Sequence, residues 1–307
     1  MTPSARPIAV AGGTGFVGGA IARELASRGR PIVVLSHRLD RGRPPELPFA
    51  VESVRPADVT RPDSLAAALE GIGTLVISLA FRNSPIEAPR RGQTFELVDA
   101  TGTEALVAAA RRAGVDRLVY MSGAGASPDA TRHWFRAKWR AEQAVRESHI
   151  TYTIFRPSWI YGPGDRSLNR FLGLSRRLPF VPQIGNGRQV LVPVFADDVG
   201  ALVADALETP AADNATFEVG GPEQLTMDEV IRIALSSMGR RRFILHAPVI
   251  LMKIATAPLT LLPTPPMTPG AVDFVVQSAP VDTGPLTAAL PRKLRSVAEA
   301  TATYLGR

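Results

Sequence analysis

Short apolar runs alternate with longer helical patterns along the first half of the chain. Ile8-Ala-Val-Ala11 predicts a buried strand. A helical pattern through Ile21, Leu25 and Ala26 follows and closes at Gly29, a natural C-terminal cap. The rhythm then repeats. Strands are predicted at Pro31–Ser36, near Ala50–Val54, and at Thr74–Leu79, Arg117–Ser122 and Tyr152–Phe155; helices at Pro62–Leu69, Gln93–Ala113 and Trp134–Ser148. Strands alternating with helices at this spacing predict crossover units and a parallel sheet.

After Pro157 glycine and proline become frequent and the rhythm breaks. Val190–Phe195 reads as a strand, Asp197–Leu207 as a helix and Thr216–Val219 as one more strand that returns to the sheet. From Thr226 to the end the pattern is mostly helical, interrupted by Pro248, Pro258, Pro263, Pro265, Pro266 and Pro269. The expected layout is a sheet domain over 1–157, to which 190–219 returns, and a smaller lobe made from 158–189 and 220–307.

Gly12-Gly-Thr14-Gly15-Phe16-Val17-Gly18 lies directly between the first strand and the first helix. Glycines there permit a tight turn, close backbone approach and helix-to-strand packing, and leave free N–H groups at the helix start for a pyrophosphate. The strand before, the helix after and a second strand about 20 residues on supply the context such a turn needs. The fold class expected is a Rossmann-type doubly wound parallel α/β sheet with a smaller, discontinuous C-terminal lobe. At the end of the second strand, Ser36-His37-Arg38 stands where an acid would bind the ribose hydroxyls of NAD. Arg38 suits a 2′-phosphate, so NADP(H) is favoured over NAD(H).

Composition narrows the alternatives. At 45% hydrophobic and 21% charged residues, the 307-residue chain excludes wholesale disorder. With no cysteine, disulfides, thiolate metal sites and a cysteine nucleophile are excluded, and a cytoplasmic address is the default. The net charge is +7, and only three of the 35 cationic residues are lysines. Without a groove-binding motif this reads as a solvated surface rather than a nucleic-acid footprint. No signal peptide and no membrane-spanning run is expected. The apolar stretch 243–267 reads first as a helix packed in the lobe or as an oligomer interface. The other reading is a lid over an apolar small-molecule substrate, or a peripheral contact with the inner face of a membrane, helped by Arg240, Arg241 and Arg242.

Taken together the motifs resemble the atypical or extended short-chain dehydrogenase/reductases. Those that carry the resemblance are Ala11-Gly-Gly-Thr-Gly-Phe-Val-Gly18, Ala57-Asp58-Val59-Thr60, Val119-Tyr-Met-Ser122, Phe155-Arg-Pro-Ser-Trp-Ile-Tyr-Gly-Pro-Gly164, Pro193-Val-Phe-Ala-Asp-Asp198 and Glu218-Val-Gly-Gly-Pro222. Within that superfamily the chain is similar to the NmrA-like branch and to the nucleotide-binding accessory subunit of respiratory complex I. The resemblance implies Asp58 and Val59 beside the adenine. It implies Ser78, Leu79 and Ala80 along the phosphate and ribose path, and Pro157 and Ser158 near the nicotinamide.

In the typical members a serine, a tyrosine and a lysine do the chemistry, the last two spaced Tyr-x-x-x-Lys on one helical face. Ser122 and Lys138 match the serine and the lysine as candidate catalytic residues, and Lys138 is also a candidate cofactor ligand. Four residues before Lys138 stands Trp134, whose indole N–H is no general acid or base near neutral pH. His133 is about 140° around the helix from Lys138 and points elsewhere. The histidines form no metal-ligand spacing. Two functions stay open. One is an NADP(H)-dependent oxidoreductase or isomerase in which Lys138 or a substrate group handles the proton. The other is a nucleotide-binding redox sensor or assembly factor without turnover.

Overall fold

The computed structural model describes residues 6–37, 39 and 45–306. Its centre is a seven-stranded sheet, all parallel, in the order β3-β2-β1-β4-β5-β6-β11. These strands are β1 (Ile8–Ala11), β2 (Ile32–Ser36), β3 (Ser53–Pro56), β4 (Thr74–Ile77), β5 (Arg117–Met121), β6 (Thr151–Pro157) and β11 (Ala215–Val219). Side chains alternate between the two faces of a strand, and here both faces are covered. Ile8, Val10, Val34, Val119 and Phe155 pack under α1 (Phe16–Ser27) and α6 (Ala196–Ala206). Ala9, Val33, Leu75, Leu118 and Tyr120 pack under α2 (Leu65–Ala68), α3 (Gly102–Arg112) and α4 (His133–Glu147). The strand order reverses between β1 and β4, the place where an open α/β sheet leaves its ligand crevice.

Some elements differ from expectation for identifiable reasons. The third strand lies at Ser53–Pro56 rather than Ala50–Val54, because Leu47, Phe49 and Val51 pack onto the core from outside the strand. The long helix predicted from Gln93 opens instead with a π-helical turn, Phe95–Thr101, capped by the Thr94 hydroxyl. Val190–Phe195 is not one strand. β9 (Val190–Leu191) runs antiparallel to β12 (Leu225–Thr226), whereas β10 (Pro193–Phe195) runs parallel to β7 (Trp159–Tyr161). The break falls at Val192, whose N–H donates to Ser158 Oγ at 3.0 Å, just before a proline that has no N–H to offer.

The C-terminal elements form a distinct lobe. Leu168, Leu172, Val181, Val230, Ile231 and Val297 make its core, drawn from α5 (Leu168–Ser175), β8 (Phe180–Ile184), α7 (Met227–Ser237) and α11 (Val297–Leu305). Reciprocal capping boxes start α7 (Thr226 with Glu229) and α11 (Ser296 with Glu299). The stretch after Thr226, read as mostly helical, contains a strand, β13 (Phe243–Ala247), parallel to β8. A five-residue apolar run carries no period that separates strand from helix, and the open edge of β8 decides it. α8 (Val249–Thr256) and α9 (Pro269–Val275) follow.

Candidate nucleotide and active site

The turn after β1 is built for close approach. Gly12 has φ +86°, and a Cβ there would stand 2.1 Å from the Ser78 carbonyl oxygen. A Cβ on Gly18 would stand 2.3 Å from the Gly12 carbonyl oxygen, so α1 seats directly on the turn. Gly15 caps α1 without a side-chain hydrogen bond, and the first turn of the helix holds no acid. That end of the helix therefore offers N–H groups and positive dipole to an anion. This cradle fits the pyrophosphate of a dinucleotide. Thr14 is half-buried in the same turn, Val17 packs on the sheet core, and the Phe16 ring lies under the Gly162–Gly164 loop.

The other cofactor candidates surround this turn to different degrees. Ser78 donates its N–H to the Ala11 carbonyl at 2.9 Å, which places the β4 exit beside Gly12; Leu79 and Ala80 follow it. Asp58 is buried, and its Oδ1 accepts from the Thr60 N–H and hydroxyl at 3.0 and 2.6 Å. Val59 packs against the Cα of Gly102. Pro157 is buried at the end of β6, and its carbonyl accepts from the Ala124 N–H at 2.9 Å. The Ser158 hydroxyl is spent on the lobe: it donates to the Ala279 carbonyl at 2.5 Å and accepts from Val192. Arg38, on which the choice of NADP(H) rests, lies outside the described residues.

Lys138 and Ser122 project from neighbouring elements, but each is tied to a carboxylate. The π-helical turn carries Asp99 inward, to 3% exposure, and Lys138 Nζ meets its Oδ1 at 2.6 Å. Lys138 also donates to the Met121 carbonyl at 3.3 Å and lies 5.5 Å from the centroid of the Tyr120 ring. Burial alone would lower the Lys138 pKa; the Asp99 charge and the Tyr120 phenol outweigh it and hold it above the ordinary lysine value. The Tyr120 phenol is pushed up, chiefly by burial. Neither group changes charge near neutrality.

Ser122 donates to Glu142 Oε1 at 2.6 Å. Glu142 is fully buried and accepts a two-pronged contact from Arg156 at 2.8 and 2.7 Å, with Arg146 at 2.9 Å. The centroid of the Trp139 ring is 5.4 Å from the Arg146 guanidinium and 5.8 Å from that of Arg156. Asp99, Glu142 and Arg156 are the residues that sequence reasoning missed. Glu142 carried one signal: it lies four residues after Lys138 and so shares its helical face. Asp99 carried none, because its inward direction depends on the π-helical turn.

Trp134 sits one turn before Lys138, 4% exposed, in a cluster with Phe81, Phe95, Phe135 and Phe274. Its ring centroid is 5.4 Å from that of Phe274 and 6.2 Å from that of Phe95. Two buried polar atoms of this region, Trp134 Nε1 and Asp99 Oδ2, have no hydrogen-bond partner among the described residues. His133 leans away from Lys138, with Nε2 2.7 Å from Glu87 Oε2. Among the described residues no three His, Asp or Glu side chains gather as metal ligands.

A glycine cradle at the switch point of an all-parallel sheet, with a lysine on the helix after β5, defines an extended short-chain dehydrogenase/reductase fold that holds a nicotinamide dinucleotide. The chain belongs to the NAD(P)H-binding family, whose pattern it matches over residues 12–180. It is related to NADH dehydrogenase [ubiquinone] 1 alpha subcomplex subunit 9 of Arabidopsis thaliana, 31% identical over 73% of this chain and 56% of that protein. The chain spans about three-fifths of the length of the complex I subunits it matches. It is also similar to the NAD(P)H azoreductase of Xenophilus azovorans, 27% identical over 76% of this chain and 74% of the relative. Its fold is that of MoeE5, solved with UDP-glucuronic acid and NAD, at TM-score 0.73 and 21% identity, covering 97% of each chain.

Proposed function

We propose that this protein is an NADP(H)-dependent oxidoreductase that reduces small apolar acceptors without a proton donor of its own. The observation that carries the reading is the commitment of the candidate catalytic groups. Trp134 fills the tyrosine position, Lys138 is paired with Asp99 and Ser122 is held by Glu142. Bound NADPH supplies a hydride. The protein supplies the glycine cradle, a fixed cation at Lys138 for the ribose, and an apolar wall at Trp134, Phe95 and Phe274. Such a site suits acceptors whose reduced anion is stable in water, such as quinones and electron-poor enones. A reduced quinone is a phenolate-type anion of pKa near 10, which takes its proton from solvent. A simple ketone would form an alkoxide and needs a positioned acid, typically worth ~10²–10⁴-fold.

A second reading, a nucleotide-binding redox sensor or assembly factor without turnover, draws support from the same commitment of Ser122 and Lys138. NADPH oxidation against a panel of quinones, enones and aldehydes separates the two. We expect quinone and enone reduction with a flat pH–rate profile near neutrality and no alcohol oxidation. Tight nucleotide binding with no oxidation by any acceptor selects the second reading. Trp134→Tyr should keep nucleotide affinity and introduce a pH-dependent carbonyl reduction. Fast alcohol oxidation by the parent, unaffected by Lys138→Ala, would overturn the placement of the chemistry. Arg38→Ala should remove most of a preference for NADPH over NADH in fluorescence titrations. Equal affinities in the parent would sink the NADP(H) assignment. The address we assign is cytoplasmic; no helix among the described residues is long and apolar enough to cross a membrane.

A further inference from the structure

Every large hydrophobic side chain that stands exposed among the described residues belongs to the C-terminal lobe. Phe243 and Leu245 face outward from β13, at 84% and 56% exposure. Ile250, Leu251 and Ile254 form one face of α8, and Leu261 follows in the turn after it, 71% exposed. Leu174 on α5 adds to this set, because Arg242 Nε donates to the Ser175 carbonyl at 3.1 Å and ties the end of α5 to the start of β13. Apolar exposure gathered in this way marks an interaction surface.

The charge around it is mostly positive, with Asp228 and Asp273 the carboxylates that meet His246 of β13 and Lys253 of α8. From Arg166 to Ala196, and again from Val230 to Val272, the chain contains no Asp or Glu. Those two stretches carry ten arginines and lysines, more than the whole +7 of the protein. They meet in space, since β8 pairs with β13. Arg176, Arg177 and Arg241 are exposed beside the apolar side chains, and Arg90 reaches over to donate to the Leu261 carbonyl at 3.1 Å.

We propose that this face docks on the surface of an anionic phospholipid bilayer, with Phe243 and the α8 side chains in the acyl boundary and the arginines on the headgroups. A second copy of the chain fits poorly, because it would set one predominantly cationic rim against another. Nucleic acid fits poorly because the centre of the face is apolar. The docked segment is also the cover of the aromatic cluster. Phe274 of α9 packs on Trp134, and Asp273 beside it bonds Arg132 at 3.1 Å and Lys253 of α8 at 3.0 Å. An amphiphile in the bilayer is thus presented to the side of the molecule where an apolar substrate is expected. The docking itself does not rest on any particular reaction.

The test is co-sedimentation of the full chain with vesicles of phosphatidylcholine alone or mixed with phosphatidylglycerol, at several salt concentrations. We expect binding to the phosphatidylglycerol vesicles only, weakening as salt rises. The triple variant Arg176→Gln, Arg177→Gln, Arg241→Gln should bind on the order of 100-fold more weakly, at the usual contribution of a basic residue near an anionic surface. Phe243→Ser with Ile250→Ser should also lose binding while NADPH affinity, the control for folding, is unchanged. Equal binding to both vesicle types, or none to either, overturns the proposal. So does a parent dimer that the Phe243→Ser, Ile250→Ser variant converts to monomer, which makes the face a self-interface.

Discussion

Glu142 holds three groups at once: the Ser122 hydroxyl and the guanidinium groups of Arg156 and Arg146. A fully buried carboxylate persists only when its charge and lone pairs are answered, and here they are. Removing its charge leaves the mostly buried Arg156 without its hydrogen-bonded carboxylate, with only the weaker charge of Glu218 to answer it. Glu142→Gln should therefore destabilise the fold by about 3–5 kcal/mol, the usual cost of breaking a buried pair from one side. Urea unfolding checks this; a loss below about 1 kcal/mol would mean that solvent reaches Arg156. Asp99 and Lys138 make a second buried pair, less fully answered: Asp99 Oδ2 has no partner among the described residues, and burial outweighs the Lys138 charge and pushes the Asp99 carboxyl above the usual aspartate value. At this scale Lys138 and Ser122 are each held by a carboxylate, and the proposed reduction of acceptors that stabilise their own reduced charge rests on that commitment.

The element proposed to set nucleotide binding is the strand–turn–helix at β1 and α1. Its shape needs the absence of a Cβ at Gly12, where the obstacle is backbone, the Ser78 carbonyl, and cannot swing aside. Gly12→Ala should lower NADPH affinity by at least about tenfold, from the ~1–3 kcal/mol of strain plus displacement of the β4 exit. Gly71 is the control. It too has positive φ (+72°), but nothing lies within 4 Å of a Cβ there. Gly71→Ala should cost about 1 kcal/mol in stability and leave nucleotide affinity unchanged. Parallel fluorescence titrations and melts separate the two; equal losses of affinity would show that backbone strain, not the cradle, governs binding. The π-helical turn at Phe95–Thr101 is the other element of consequence, since it aims Asp99 at Lys138.

At the scale of the molecule, one carboxylate clamps the sheet's helical layer to the chain's last segment. Asp205 on α6 accepts from Arg28, just past α1, at 2.8 Å and from Arg292 at 2.5 Å. Burial opposes its ionisation, but the hydrogen bonds and charges of Arg292 and Arg28 prevail and hold its pKa below the usual aspartate value. The folded state thus binds the proton less readily than the unfolded chain. The stability this contributes is fully present above pH ~4 and is lost as pH falls through the depressed folded value. Asp205→Asn should cost about 1–2 kcal/mol at neutral pH, discounted for partial exposure, and nothing once the parent carboxylate is protonated. Melting temperatures from pH 7 down to pH 2 test this. A constant gap between parent and variant would show that the effect is packing rather than charge.

The parallel α/β plan, the glycine turn and the lysine helix were legible in the sequence because each is written within a few neighbouring residues. Apolar runs, caps and glycines constrain the backbone locally, and strands alternating with helices require a parallel sheet; the order of its strands came from the tertiary structure. Tertiary structure alone decided the partners of the candidate catalytic groups. Asp99 and Glu142 reach Lys138 and Ser122 only after the π-helical turn and α4 dock against β5, and no periodicity records which carboxylate will meet which side chain. It also decided that Phe243–Leu262, apolar enough to be core, faces outward. The lobe core is already filled by α5, β8, α7 and α11, so β13 and α8 lie over it with their apolar side chains toward the surroundings.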